Sequence, residues 1–189
     1  MFTATATAAV TGSSSSWITE VMYIGEVDAL LASTMGGLIL FVDLLKGEVV
    51  RSFSGHRSSS SAGIRAFSWS PFGKYIVSAA DRGVLFWDIF TLEVVTKIDN
   101  LKSPVVSVQV SDSAFKVFAI LVNKAVLVWH SITFEFQQQI MDPSSYKPAD
   151  HLSSMRFASD LQILFTAGNK VTSWTLERWS DWSCGITDR

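Results

Sequence analysis

The chain has 189 residues, 48% of them hydrophobic and only 17% charged, with 15 Lys and Arg set against 17 Asp and Glu. That is enough chain to bury a real core, and a formal charge of −2 gives no whole-chain electrostatic reason to bind nucleic acid or an acidic membrane. A single cysteine, Cys184, excludes an intrachain disulfide framework, and no apolar run approaches the length that spans a bilayer.

Residues 1–16, MFTATATAAVTGSSSS, lack a basic n-region and a Leu-rich h-region, so they are expected to form a flexible tail rather than a signal peptide, with the cytoplasm as the expected compartment. From residue 17 onward the chain is a succession of short apolar runs. Each unit opens with one run: ITEVMYI (18–24), IRAFSWS (64–70), VVSVQVS (105–111) and SSMRFAS (153–159). A second follows in each: ALLAST (29–34), YIVSAA (75–80), KVFAIL (116–121) and QILFTA (162–167). Several alternate as strands do, Val106, Val108 and Val110 among them, and turn signals such as PFGK (71–74), DRG (81–83) and GNK (168–170) separate them. A third element aligns LILFVDLLKGEVV (38–50) with GVLFWDIFTLEVV (83–95), AVLVWHSITFEF (125–136) and KVTSWTLERW (170–179). The anchors of this frame, Val42, Trp87, Trp129 and Trp174, are 45, 42 and 45 residues apart. No window sustains a helical period. Three or four strands in each of four units predict an all-β chain on a β-propeller plan, with units at about 17–56, 57–103, 104–150 and 151–178.

Over residues 17–178 the chain resembles the WD-repeat family, and the second unit carries the resemblance best, in SGH (54–56), FSWSPFGKYIVSAADRG (67–83) and LFWDI (85–89). The resemblance implies a structural tetrad of His56, Ser78, Asp81 and Trp87, in which buried indole and hydroxyl groups find partners. The other units depart from the pattern. Val42 replaces Trp in the first, His130 replaces Asp in the third, and Thr175 follows Trp174 in the fourth, so those blades are expected to rely on apolar packing. The wording SWITEVMYIGEVDALLAST, GIRAFSWSP and YKPADHLSSMRF resembles, more narrowly, the long EF-hand-linked WD-repeat proteins of motile cilia and flagella. That resemblance implies an axonemal scaffold. About four blades, low charge and an apolar composition predict a partial, open propeller, either a fragment or a truncated isoform, and self-association could close its ring.

His56, Ser78 and Asp81 superficially offer a Ser-His-acid set, but no Gly-x-Ser-x-Gly elbow accompanies them, so no catalytic role is expected. His130, His151 and Cys184 lack zinc-ligand spacing, and neither metal nor cofactor is expected. The run Ser58, Ser59, Ser60 and Ser61 follows Arg57 and is a candidate phosphorylation or contact loop; Tyr146, in MDPSSYKPAD (141–150), is a candidate contact. WSDWS (179–183) resembles the cytokine-receptor box, which would suggest an extracellular binding domain. The upstream cysteine pairs and the Arg ladder of that arrangement are missing, so residues 179–189 are expected to be an outer strand or a divergent tail. The leading expectation is a non-catalytic scaffold whose partners are other proteins.

Overall fold

Alternation of apolar residues at a period of two becomes, among the described residues, fifteen strands and one short helical turn, Gly25–Val27. The computed structural model describes residues 17–56, 63–140, 152–160, 163–168 and 171–175. The first sheet holds β1 (Ile18–Ile24), β2 (Ala29–Thr34), β3 (Leu38–Asp43) and β4 (Glu48–Ser54). β5 (Ile64–Ser70), β6 (Tyr75–Ala80), β7 (Gly83–Asp88) and β8 (Val94–Ile98) form the second. The third contains β9 (Val105–Ser111), β10 (Lys116–Leu121), β11 (Val126–His130) and β12 (Phe136–Ile140), and the fourth contains β13 (Leu152–Ala158), β14 (Ile163–Gly168) and β15 (Val171–Thr175). Every sheet is an antiparallel meander with its strands in chain order. This is the blade plan that the repeat predicts.

The blades stack face to face because each middle strand is apolar on both sides. All six residues of β6 and all six of β10 are buried, as expected for strands covered on both faces. Ile24, Leu31 and Ile39 of the first blade pack against Ile76, Leu85 and Trp87 of the second. Val77 and Phe86 meet Val117 and Trp129 between the second and third blades, while Phe118 and Val128 meet Met155 and Leu164 between the third and fourth. The first strands β1, β5, β9 and β13 pack in succession, which makes them the inner strands of the array. Among the described residues no extensive packing joins the fourth sheet to the first. The array is an open part of a ring.

An inner strand has one edge with no strand beside it, and its N–H groups still need acceptors. Side chains of the preceding blade supply them. Glu20 Oε2 accepts the Phe67 N–H at 2.8 Å, Ser68 Oγ accepts that of Val110 at 3.0 Å, and Gln109 Oε1 accepts that of Phe157 at 3.1 Å. Ser68 and Gln109 occupy the same register in their strands, opposite Val77 and Phe118. Burial pushes the Glu20 carboxyl above its ordinary range, against the lowering pull of the Phe67 N–H. At each junction a polar side chain of one blade thus takes up an inner-strand N–H of the next.

Candidate functional site

The four anchors fall at one structural position. Val42, Trp87, Trp129 and Trp174 each lie opposite the second residue of the neighbouring strand: Leu30, Ile76, Val117 and Leu164. In the first three blades a register shift in the pairing with the outer strand falls immediately before the anchor, between Phe41 and Val42, Phe86 and Trp87, and Val128 and Trp129. The constant spacing in sequence reflects this constant register, since a one-residue slip would turn the ring to the wrong face.

In the second blade the structure brings together three of the four tetrad residues. The Trp87 indole N–H donates to Ser78 Oγ at 2.7 Å, and His56 Nε2 lies 2.7 Å from the same oxygen. An indole can only donate, so the arrangement that leaves no proton unpaired sends the serine proton to Nε2 and keeps the imidazole proton on Nδ1. Ser78 is fully buried and Trp87 nearly so. Burial, with a smaller push from Lys97 and an opposing pull from Asp99, lowers the His56 pKa to about 4. Gly55 makes the approach feasible, because a Cβ there would run into the Trp87 ring. Asp81 takes another part. No side-chain hydrogen bond joins it to His56; it occupies the left-handed region at φ 46°, where Asp is tolerated, and its carbonyl accepts the Val105 N–H of the third blade.

The register shows what the other blades have at the Ser78 position. The first has Ala32 and the third Ala119, so neither offers a hydroxyl at the position that Ser78 holds beside Trp87. The fourth differs from the expectation of purely apolar packing. Thr166 is fully buried, and its Oγ1 accepts the Trp174 indole N–H at 3.1 Å. The signal was available in the sequence, since Thr166 stands eight residues before Trp174 much as Ser78 stands nine before Trp87.

In the first three blades the residue after the anchor closes the next turn. Asp43 Oδ1 accepts the N–H groups of Leu45 and Lys46, and Asp88 Oδ1 accepts those of Phe90 and Thr91. The Thr91 N–H, chiefly, holds the Asp88 carboxyl below its usual range. His130 does the same with an imidazole, its Nδ1 lying 3.2 Å from the N–H groups of both Ile132 and Thr133. An unprotonated ring nitrogen can replace the carboxylate as acceptor, which explains how His stands where the repeat pattern has Asp.

These turns, and those joining first to second strands, share one rim and carry exposed apolar side chains. Leu45 is 90% exposed, Phe72 66%, Phe90 61%, Ile132 52% and Phe115 42%. Phe72 and Phe115 make an edge-to-face pair with centroids 5.9 Å apart, bridging the second and third blades. Between the first and second blades the rim opens into a crevice of about 390 Å³. Among the described residues no group of His, Cys, Asp and Glu could hold a metal ion. Ser58, Ser59, Ser60, Ser61, Tyr146, His151, Cys184 and the WSDWS segment lie outside the described residues.

Residues 47–88 match the family described as "WD domain, G-beta repeat", a span that takes in β4 and the first three strands of the second blade. The solved structure described as "Crystal structure of RRP9 WD40 repeats" aligns with 88% of this chain and 50% of its own at a TM-score of 0.70 and 16% identity. "Structure of U3-55K" aligns with 88% of this chain and 51% of its own at a TM-score of 0.71, also at 16% identity. The chain therefore spans about half the length of the solved structures it matches. No curated protein matches it significantly in sequence. The array has the fold of the WD40 β-propellers, and its second blade is built on a WD repeat of the G-beta type.

Proposed function

We propose that the chain is a non-catalytic protein–protein interaction scaffold built on WD repeats, acting through the rim of turns described above. The observation that carries this reading is the series of exposed apolar side chains, Leu45, Phe72, Phe90, Phe115 and Ile132, at successive turns of one rim. Rigid blades hold such side chains at fixed spacing, and clustered exposed aromatics are characteristic of protein contact surfaces. The one Ser–His pair of the described residues argues for support rather than chemistry. Ser78 is fully buried, and its oxygen is taken up by Trp87 and His56. A nucleophile needs access to substrate and a nearby oxyanion site.

Quantitative affinity capture tests the proposal. The triple variant Phe72→Ser, Phe90→Ser, Phe115→Ser should lose most wild-type partners while keeping its thermal stability; unchanged capture would reject the rim. The narrower proposal is an axonemal role in motile cilia or flagella, supported by the wording of residues 16–34, 63–71 and 146–157. Expression confined to ciliated tissue should accompany it, and ubiquitous expression would sink it. Self-association through the open first and fourth blades is a further proposal, which light scattering would support by a discrete dimer. An extracellular receptor-like role has only WSDWS in its favour, against a single cysteine.

A further inference from the structure

We propose that the crevice between the first and second blades binds an aromatic side chain of a partner protein, tyrosine above all, with a basic residue beside it; this deepens the scaffold reading and rests on it. The chemistry of the occupant is written in the neighbouring crevice. Between the second and third blades three rings fill the corresponding space: Tyr75, Phe86 and Phe134. Their centroids lie 5.7 Å apart for Tyr75 and Phe86, 5.4 Å for Tyr75 and Phe134, and 4.6 Å for Phe86 and Phe134. The Tyr75 hydroxyl donates to the Ser131 carbonyl at 2.7 Å.

Register identifies the counterparts one blade earlier. Tyr75 lies opposite Asp88, and Ala29 lies opposite Asp43; Phe86 lies opposite Val77, and Phe41 lies opposite Leu31. Phe134 and Leu92 close equivalent turns, each with φ 59° and each donating its N–H to the residue four before it, His130 or Asp88. Ala29, Phe41 and Leu92 therefore stand where Tyr75, Phe86 and Phe134 stand in the next crevice. Two of the three rings are missing, and the space of about 390 Å³ remains open, walled also by Leu45, Ile89 and Phe90. Ile89 is the counterpart of Ser131, the first residue after β11 as Ile89 is after β7, so its carbonyl is the natural acceptor for a tyrosine hydroxyl. An aromatic ring supplied from outside restores the packing that the fold uses next door.

Charge selects the neighbour of that ring. Asp28, Asp43 and Arg51 line the crevice, and Lys46 Nζ lies 3.9 Å from Asp43 Oδ2. Asp28 is exposed and also accepts the Tyr23 hydroxyl at 2.9 Å. With Lys46 and Arg51 offsetting Asp43, the exposed Asp28 carboxylate is the one that favours Lys or Arg next to the aromatic residue.

The test is panning of displayed random dodecapeptides against the 189-residue chain, followed by affinity measurement with the synthetic winners. Enriched peptides should carry Tyr or Phe adjacent to Lys or Arg. Their binding should fall by about tenfold or more, the scale of one lost contact, in the filled variant Ala29→Tyr, Leu92→Phe. A second variant, Asp28→Lys, leaves the core alone and copies Lys74, the residue at the same turn position in the second blade with φ 55° against 46° for Asp28. It should weaken the basic peptides selectively, whereas Lys102→Ala, at the exposed opposite rim between β8 and β9, should leave them bound. Peptides that bind both crevice variants normally would overturn the crevice while leaving the scaffold reading standing. Enrichment without aromatic residues, or no enrichment, would overturn it too. Loss of protection in a segment of the chain itself on filling the crevice would assign the space to an intramolecular occupant and would likewise overturn the proposal.

Discussion

Replacing Ser78 by alanine removes one oxygen that serves two rings. Ser78 is fully buried and Trp87 is 2% exposed, so in the variant the indole N–H has neither the hydroxyl, 2.7 Å away, nor water to bond. Leaving a buried donor unpaired costs about 1–3 kcal/mol. His56 is only partly covered, and its Nε2 can recruit water, so it adds little to that loss. The cavity left by one hydroxyl is small. The expected destabilisation is therefore about 2 kcal/mol, measured by urea unfolding of the 189-residue chain, with exchange protection falling first in β6 and β7. His56→Ala on the Ser78→Ala background should then cost less than on the wild type, because the partner is already gone. The reverse change, Ala119→Ser beneath Trp129, should give a small gain. A loss below about 0.5 kcal/mol, the ordinary scatter of surface substitutions, or full additivity of the two losses, would refute the hydrogen-bonded link as a source of stability.

Three further outcomes can be measured. His56 is held neutral, with its pKa lowered to about 4 against about 6.5 for a free imidazole. The unfolded chain thus binds this proton first, and the contribution present above pH 6.5 is lost as pH falls towards 4, by about 3 kcal/mol at most; His56→Gln should remove that part of the acid sensitivity. His130→Asp should preserve amide protection at Ile132 and Thr133, while His130→Leu should lose it at a cost of about 1 kcal/mol, as read by hydrogen exchange. Gln109→Ala should deprotect the Phe157 amide and loosen the fourth blade before the second, and uniform loosening of all blades would contradict its role as a junction acceptor.

The blade plan is legible in the sequence because register is unforgiving: Val42, Trp87, Trp129 and Trp174 recur at near-constant spacing, each opposite the second residue of the neighbouring strand. What lies between blades is less legible. Glu20, Ser68 and Gln109 look like ordinary polar residues on half-covered strands, and only the packing of one blade on the next shows that each accepts an inner-strand N–H. His130 reads as a departure from the Trp-Asp pattern, yet its ring nitrogen takes up the same two amides as a carboxylate. The fourth blade, expected to be purely apolar, keeps a hydroxyl under its tryptophan in Thr166. Asp81 is the converse case. Its residue type fits the tetrad, but it serves the turn through its backbone, at φ 46°. The crevice was invisible for another reason, because Ala29 and Leu92 become conspicuous only beside Tyr75 and Phe134, which fill the same place one blade later.

A scaffold of this kind requires one rim of the blades to be a protein contact surface. Photoreactive residues placed singly at Phe72, Phe90 and Phe115, and at Lys102 on the opposite rim as a reference, would test it directly by cross-linking in cells followed by mass spectrometry. Covalent adducts with the same defined proteins from the three turn positions, and few from Lys102, are the predicted result. No adducts from the turns, or adducts only from Lys102, would contradict it.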